Sequence, residues 1–398
     1  MPTVAIFVED PSLVPYDVVV TTVTKNGEES SDYLGRNWTV EIDFEKLEVL
    51  RVIARNHWSF EINQTNFHSV ASSRSILLKQ ITRTQWEKFG LKSKELLKKD
   101  NAIRIGVADC GFAHGFDGLN IYDANANIVP RDQFPDFSHG SRVMRVIDGK
   151  SNKSHIGGGI LKNVEIDFID IGHMINGIET WDPTKLSAAV QLFIDVFDVN
   201  LINLSGGIIP NLRLTDIPDL HPYSAMKDSV EEAFENGVVC ICAIGNSHKL
   251  RSFYPASDAA TIGVGAAGRM GISPFPNLGS LYEVRAAQHG LTSCGDADCA
   301  DFYASPENSR GSGLDCLAPG VALPICVDDG AVFDYTGSSF ATPIVTAALA
   351  AALDGDETYW MKAGFARAEY VKKKLASLCQ DMGLSVDVQG HGLILISG

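Results

Sequence analysis

The sequence predicts an α/β fold: a three-layer unit with a mostly parallel sheet flanked by helices, preceded by a small N-terminal α+β unit. From about residue 75, short apolar strands alternate with helical segments, the pattern of a parallel sheet covered on both faces. The segment 344–353 is apolar on nearly every side, as is usual for a helix in the middle of a large domain. A chain of 398 residues with 45% hydrophobic residues can bury such a core.

The main unit is predicted to span 75–398. Its strands are expected at 104–108, 165–169, 201–204, 238–243 and 261–265. Its helices are expected to begin near His139, Pro183, Pro222 and Ser339.

The N-terminal unit is predicted to span 1–74. Segments 4–8, 17–23, 38–44 and 58–62 resemble strands, and segment 45–56 is predicted to form a helix. These elements would make a small α+β domain.

Asp109 follows the predicted strand 104–108 and precedes Cys110 and Gly111. Open α/β sheets present functional groups at the carboxyl ends of their strands, so the Asp109 carboxylate is a candidate for catalysis. The alternative is an ordinary turn residue at a strand end.

His139 lies at the start of a predicted helix, directly after Ser138. Ser138 is expected to cap that helix, which would make the His139 imidazole project from the helix start toward the strand ends. A surface histidine near a helix cap is the alternative.

Ser339 lies between Gly337 and Pro343, where another helix is expected to start. A serine hydroxyl is a poor nucleophile until a base takes its proton. A helix N-terminus offers unpaired N–H groups and a favourable dipole to the oxyanion that forms on attack. Gly337 allows a tight turn, and Pro343, if it lies in the first helical turn, loses no hydrogen bond. An ordinary capped core helix is the alternative.

The three candidates follow the chain order Asp109, His139, Ser339, which is the order of the subtilisin arrangement. Their surroundings match Asp-x-Gly, His-Gly-Ser-x-Val and Gly-Ser-Ser-x-Ala-x-Pro. The chain therefore resembles the subtilase family of serine peptidases. The resemblance implies a subtilisin-like fold for the main unit. It also implies that Ser339 attacks a peptide carbonyl, His139 takes its proton and Asp109 orients the imidazole.

Two further segments resemble the same family and imply a substrate site. Segment 201–207 is similar to a strand that pairs with an extended peptide, and segment 238–246 is similar to the strand that leads to an oxyanion-hole asparagine. The resemblance implies an oxyanion hole made by the Asn246 amide and the backbone N–H of Ser339. At Asn246 an ordinary Gly-Asn turn is the alternative. The residues that the resemblance places against the substrate are Ser205, Gly206, Gly207, Ala243 and Gly245, whose glycines would leave room for the side chain before the scissile bond.

The glycines Gly263, Gly265 and Gly268 have the spacing of a dinucleotide-binding fingerprint. That function is excluded because Gly271 and Pro274 interrupt the helix that would hold a pyrophosphate. A core strand accounts for the segment more simply.

The resemblance implies a reaction that requires no cofactor, and the sequence assigns no metal site. Asp296, Asp298 and Asp301 form an acidic loop between Cys294 and Cys299. Calcium sites are common in the family and calcium remains an option. A solvated loop is favoured here, because the segment lacks the length and glycine of an EF-hand.

The cysteines indicate the compartment of the protein, and the net charge bears on its partners. Eight cysteines read as reduced thiols of a cytoplasmic protein, with Cys294 and Cys299 as the one pair whose loop setting would allow a bridge. No signal sequence and no membrane-spanning run is recognised. A net charge of −16 argues against a nucleic-acid partner.

The sequence therefore predicts a cytoplasmic serine endopeptidase with protein or peptide substrates and restricted or regulated activity. Two alternatives remain: a catalytically silent binding module, and a variant that ligates peptides. Residues 1–74 are expected to form either a removable prodomain or a permanent regulatory domain that binds a partner.

Overall fold

The computed structural model describes residues 89–96, 102–111, 120–129, 138–148, 159–175, 178–208, 221–247, 252–271, 276–326 and 332–396, with Trp86 and short segments among the first 63 residues. The predicted boundary between the two units, at residues 74 and 75, lies outside the described residues.

The described part of the N-terminal unit consists of β-strands. They are β1 (Thr3–Ala5), β2 (Val18–Thr24), β3 (Glu29–Tyr33), β4 (Thr39–Glu41), β5 (Leu47–Ala54) and β6 (Trp58–Asn63). β1 pairs with β4, and the other four form an antiparallel sheet in the order β3-β2-β5-β6.

The helix predicted at 45–56 is wrong, because Leu47–Ala54 is strand β5. This strand lies between β2 and β6 and pairs with both. Val49, Val52 and Ile53 are β-branched and favour a strand, and pairing on both sides satisfies the strand's backbone. The helical half of the α+β prediction therefore finds no counterpart in the described residues of this unit.

The main unit is built from sixteen described strands and eight described α-helices. The strands are β7 (Lys94–Glu95), β8 (Arg104–Asp109), β9 (Ile121–Asp123), β10 (Leu161–Lys162), β11 (Glu165–Asp170), β12 (Gly172–Ile175), β13 (Ile178–Trp181), β14 (Leu201–Leu204), β15 (Val239–Ala243), β16 (Thr261–Arg269), β17 (Phe302–Ala304), β18 (Cys316–Pro319), β19 (Leu323–Cys326), β20 (Val332–Tyr335), β21 (Cys379–Gln380) and β22 (Leu393–Ile394). The helices are α1 (His139–Ile147), α2 (Pro183–Asp195), α3 (His221–Glu235), α4 (Pro276–Gln288), α5 (Ser338–Leu353), α6 (Glu357–Trp360), α7 (Gly364–Leu378) and α8 (Val386–Gln389).

Ten of these strands form one sheet in the order β21-β22-β18-β16-β15-β14-β8-β11-β9, with β17 paired to β16. All pairings are parallel except those of β21 with β22 and of β17 with β16. The five strands predicted from the sequence are the neighbouring strands β11, β8, β14, β15 and β16 at the centre of this sheet. The prediction of a mostly parallel sheet is confirmed.

Alternating residues of the central strands pack into two separate cores, one between the sheet and each layer of helices. The domain therefore has three layers. Ile105 and Val107 of β8 pack in the core that contains α1 and α5. Ile202 and Leu204 of β14 pack in the core that contains α2 and α3. Gly106 is small for a packing reason, since a Cβ at this position would lie 2.7 Å from Phe193 of α2. No helix in the described part of the chain is long and apolar enough to cross a membrane.

Helix α5 is the buried helix that the sequence predicted, and it contacts β14, β15, β16 and β18. It begins at Ser338, so Pro343 is its sixth residue and lies inside it. The expectation that Pro343 loses no hydrogen bond is therefore wrong: a residue with an N–H at this position would donate to the carbonyl of Ser339. The Thr346 hydroxyl, one turn farther along, donates to Asn203 Oδ1 of β14 at 3.0 Å.

Gly263 and Gly265 lie in a core strand, as the sequence predicted, and this strand, β16, continues beyond the predicted range to include Gly268. At Gly263 a side chain would overlap the carbonyl oxygen of Gly313, which explains a glycine in the middle of a core strand.

Candidate active site

Asp109 is the last residue of β8 and its side chain is fully buried. Its Oδ1 accepts a hydrogen bond from the N–H of Cys110 at 2.7 Å and lies 2.6 Å from Nδ1 of His139. A carboxylate only accepts hydrogen bonds, so Nδ1 of His139 donates and Nε2 is left as an acceptor. The pair therefore has the orientation that a general-base histidine requires.

His139 is the first residue of α1, and the start of α1 is joined to the turn after Asp109. The N–H of Gly140 donates to the carbonyl of Cys110 at 2.9 Å. A Cβ at Gly140 would overlap the carbonyl oxygen of Gly111, so only glycine allows this approach. Ser138 is the N-cap by position, but its hydroxyl pairs with that of Ser141 at 2.8 Å instead of capping a backbone N–H.

Asp170 is a second carboxylate beside Asp109 that the sequence analysis did not single out. It ends β11 and is the cross-strand partner of Asp109. Its Oδ1 accepts hydrogen bonds from the N–H groups of Gly111 at 2.9 Å and Gly172 at 3.0 Å. Burial raises the pKa of Asp170, and these two N–H groups act against the rise. Asp170 thus fixes the turn after Asp109, and its position at the end of a neighbouring parallel strand was the available signal.

Ser339 is the second residue of α5 and is half-buried. Helices α1 and α5 pack against each other, and the ring of Phe340 lies 5.8 Å from the His139 ring. Among the described residues no hydrogen bond joins Ser339 to His139. In enzymes without substrate such hydrogen bonds are often long, and they tighten only when substrate binds.

Asn246 is joined to the start of α5 through Ser338. Its Oδ1 accepts hydrogen bonds from the Ser338 N–H at 2.8 Å and from the Ser338 hydroxyl at 3.2 Å. The same hydroxyl accepts from the N–H of Gly245 at 3.1 Å. These bonds fix the Oδ1 end of the Asn246 amide, and its Nδ2 group is the end that donates hydrogen bonds. A Cβ at Gly337 would lie 3.0 Å from Nδ2, which locates that donor beside the residues leading to Ser339.

The loop that carries Asn246 is supported from a distant segment. The Ser309 N–H donates to the carbonyl of Gly245 at 3.0 Å, and its hydroxyl accepts from the N–H of Ser247 at 3.2 Å. The Asn308 side chain in turn bonds both the N–H and the carbonyl of Ala266, each at 2.9 Å. The segment around residue 308 therefore helps to fix the loop containing Asn246.

The residues expected to line a substrate pocket lie at the ends of β14 and β15. Ser205 is buried, and its hydroxyl accepts from Asn203 Nδ2 at 2.9 Å. Ala243 is buried as the last residue of β15. The three glycines in this group lie close to aromatic side chains of the protein. A Cβ at Gly206 would lie 2.5 Å from Trp181, and Gly207 and Gly245 are both packed against Phe253.

Arg142 connects α1 to the segment that leads into α5. Its guanidinium carbon lies 4.7 Å from the centre of the Tyr335 ring and 6.0 Å from that of Phe340. Tyr335 and Phe340 also pack together, with 5.2 Å between ring centres. These contacts hold the element that carries His139 against the elements that flank Ser339.

The acidic loop 296–301 has partners within the protein. Asp296 Oδ2 accepts from the N–H of Asp381 at 3.1 Å, and Asp301 pairs with Arg269 at 3.3 Å. Within the described residues, no group of three or more His, Cys, Asp or Glu side chains is placed to hold a metal ion. Calcium binding stays a prediction.

The seven cysteines that the structure describes are free thiols. Cys294 and Cys299, the pair considered for a bridge, are among them. Cys294 donates to the carbonyl of Gly383 at 3.3 Å, whereas Cys299 is buried and donates to the carbonyl of Asp381 at 3.2 Å. Burial raises the pKa of Cys240 to about 12 and that of Cys242 well above its usual value, so both are inert core thiols.

Comparisons with known proteins identify the family. The model of the subtilase family matches residues 100–392. Subtilisin from Bacillus pumilus is 26% identical over 299 residues, which cover 73% of this chain and 88% of that protein. Subtilisin E from Bacillus subtilis (strain 168) is 27% identical over 300 residues, covering 73% of this chain and 64% of that protein.

Two solved structures have the same fold. The patellamide maturation protease PatA aligns with a TM-score of 0.52 and 19% identity, covering 76% of this chain and 96% of that one. The prenylagaramide maturation protease PagA aligns with a TM-score of 0.51 and 19% identity, covering 79% and 95%. With a family model that matches well over half of its length, the chain belongs to the subtilase family and is a subtilisin-like serine protease.

Proposed function

We propose that this protein is a serine endopeptidase in which Asp109, His139 and Ser339 form the catalytic triad. The observation that carries the proposal is the 2.6 Å contact between Asp109 Oδ1 and His139 Nδ1. It leaves His139 Nε2 as the acceptor at the start of α1, which packs against the helix that begins next to Ser339.

The proposed reaction uses the side chains in this order. Ser339 Oγ attacks the peptide carbonyl while His139 Nε2 takes the hydroxyl proton, and Asp109 stabilises the resulting imidazolium. The oxyanion accepts hydrogen bonds from Asn246 Nδ2 and from the backbone N–H of Ser339. His139 then gives its proton to the leaving amine, which leaves an acyl-enzyme on Ser339 that water hydrolyses.

The proposed substrate is a protein or peptide bound in extended form along residues 205–207. This segment continues β14 beyond its last residue, Leu204, so an extended chain would add to the sheet through main-chain hydrogen bonds. Ser205, Gly206, Gly207, Ala243 and Gly245 would surround the residues next to the scissile bond.

We also propose that the protein acts in the cytoplasm under restriction. The free thiols of Cys294 and Cys299 support a reducing compartment. The N-terminal unit is the proposed source of restriction, as a prodomain or as a regulatory domain, and its strand β6 lies beside α4 of the main unit.

Hydrolysis in ¹⁸O-labelled water of a peptide library tests the proposal. Wild type should release products that carry ¹⁸O at the new carboxyl terminus, and Ser339→Ala should lose at least about a thousandfold in kcat/KM. Ser385→Ala is the matched control, because Ser385 is an exposed serine at the N-terminus of another helix, α8. Products without ¹⁸O would indicate ligation, and full activity of Ser339→Ala would refute the assignment of the nucleophile.

A further inference from the structure

Phe253 occupies the space where the glycines at the strand ends were expected to admit a substrate side chain. Resting on the proposed function, we propose that Phe253 closes the pocket for the residue before the scissile bond. The enzyme then cleaves after glycine, alanine or serine and rejects large side chains at that position.

The backbone around Phe253 is held by both strands that flank this pocket. The N–H of Phe253 donates to the carbonyl of Ile244, the residue after β15, at 2.9 Å. Tyr254 and Ile208 exchange two hydrogen bonds, of 2.9 and 2.8 Å, beyond the end of β14. The segment therefore bridges the ends of β14 and β15, and the position of the Phe253 Cα is fixed from two sides.

The Phe253 side chain spans the gap between these two ends. A Cβ at Gly207 would lie 2.8 Å from the carbonyl oxygen of Tyr254 and 3.0 Å from the Cβ of Phe253, and a Cβ at Gly245 would lie 2.6 Å from ring atom Cε1 and overlap the ring. Gly245 thus makes room for the Phe253 ring, and Gly207 for the backbone of Tyr254 and the Cβ of Phe253. Phe253 is half-buried.

Gly206 offers no second opening. Its missing side chain would lie 2.5 Å from Cζ2 and Cε2 of Trp181, the last residue of β13. Successive residues of an extended segment face opposite sides, so Trp181 and Phe253 cover the two faces of 205–207. A peptide that pairs with this segment would therefore contact an aromatic ring on each face. Neither Gly206 nor Gly207 deepens the pocket.

A pocket closed by the Phe253 ring would discriminate among substrate side chains by their size. A substrate alanine places one carbon atom over the Phe253 ring, whereas leucine or phenylalanine would have to displace the ring or the bridged backbone. Since one methylene of misfit changes kcat/KM by about 10- to 200-fold, a phenylalanine before the scissile bond should be cleaved at least about a hundredfold less well than alanine.

Peptides that differ only in the residue before the scissile bond, with glycine, alanine, serine, leucine or phenylalanine there, test the proposal. Wild type should prefer the three small residues. Phe253→Ala should raise kcat/KM for the phenylalanine peptide relative to that for the alanine peptide by at least about tenfold, with Phe253→Leu between wild type and Phe253→Ala. Phe365→Ala is the control, because Phe365 is an exposed aromatic residue on α7.

Labelling of Ser339 by a fluorophosphonate, measured on the same samples, separates this proposal from the proposed function. A labelled wild type that cleaves the phenylalanine peptide as fast as the alanine peptide overturns the pocket alone. So does a labelled Phe253→Ala with the wild-type preference. A wild type that is neither labelled nor active overturns the proposed function.

Discussion

The Ser338 hydroxyl joins the Asn246 amide of the proposed oxyanion hole to the backbone of the preceding residue, Gly245. It accepts the N–H of Gly245 and donates to the Oδ1 of Asn246, and Ser338 is fully buried. Because these hydrogen bonds fix the Oδ1 end of the Asn246 amide, its Nδ2 can donate to an oxyanion without reorganisation.

Ser338→Ala should therefore lower kcat by about 10- to 100-fold with little change in KM, because the alignment of Asn246 is lost mainly in the transition state. The unpaired N–H of Gly245 should also reduce the unfolding free energy by about 1–3 kcal/mol. Steady-state kinetics and urea unfolding measure both effects. Ser338→Thr keeps the hydroxyl and should restore kcat; a threonine variant as slow as the alanine variant would contradict the positioning role.

Asp170 gives a prediction about pH. Burial raises its pKa above the usual 3.8, while the N–H groups of Gly111 and Gly172 and the charge of Lys185 lower it less. The folded state therefore holds this proton more tightly than the unfolded state does. The associated stability is present below pH 3.8 and is lost as the pH rises through the raised pKa.

Asp170→Asn cannot ionise and keeps an Oδ1 that can accept both N–H groups. The stability of wild type relative to this variant should therefore fall as the pH rises from about 3.5 to about 7. Urea unfolding of both proteins across that range measures the difference. A difference that does not change with pH would contradict the assigned cause.

The part of the candidate site that could be predicted consists of residues inside recognisable sequence motifs. Asp109, His139 and Ser339 each end a strand or begin a helix, so their positions follow from element boundaries. Phe253 and Trp181 were not predictable, because their role depends on which glycine each one contacts across the sheet.

At the scale of elements, helix α6 depends on the side chain that caps its N-terminus. Asp356 is the N-cap of α6, accepts from the N–H groups of Thr358 and Tyr359, and pairs with Lys374 of α7 at 2.7 Å. Burial works to raise the pKa of Asp356, but the hydrogen bonds from Lys374 and Tyr370 outweigh it and hold the pKa at about 2.

Asp356→Ala should lower the unfolding free energy by about 1 kcal/mol, since both hydrogen bonds to the cap acceptor Oδ1 are lost. Asp356→Asn keeps a cap acceptor and should lose less. The stability that ionised Asp356 contributes is present above pH 3.8 and is lost as the pH falls through about 2, so wild type and Asp356→Asn should converge there. Thermal unfolding at several pH values measures this, and convergence at neutral pH instead would contradict it.

The central strands β14, β15 and β16 were predictable because each contains a short apolar run buried on both faces. Segment 45–56 was mispredicted because its strand identity depends on pairing with β2 and β6, which a local pattern does not contain. The start of α5 was predicted to within one residue, but Pro343 was misplaced because, as the sixth residue, it already lies beyond the first helical turn.

At the scale of the whole molecule, the N-terminal unit carries the proposed regulation. If it is a removable prodomain, activity should rise together with the loss of amino-terminal mass near residues 63–76. A time course of intact mass and peptide cleavage on the full-length chain measures both. A chain that is fully active at its complete mass would rule out a removable prodomain and favour a permanent regulatory domain.

The proposed mechanism depends most on an activated Ser339, which a single measurement tests. Full-length wild type and Ser339→Ala are treated with a fluorophosphonate probe, and intact mass is recorded before and after. The arrangement of Asp109 and His139 predicts one added probe mass on wild type and none on Ser339→Ala. Equal labelling of both proteins, or of neither, would contradict the claim that this serine is the nucleophile.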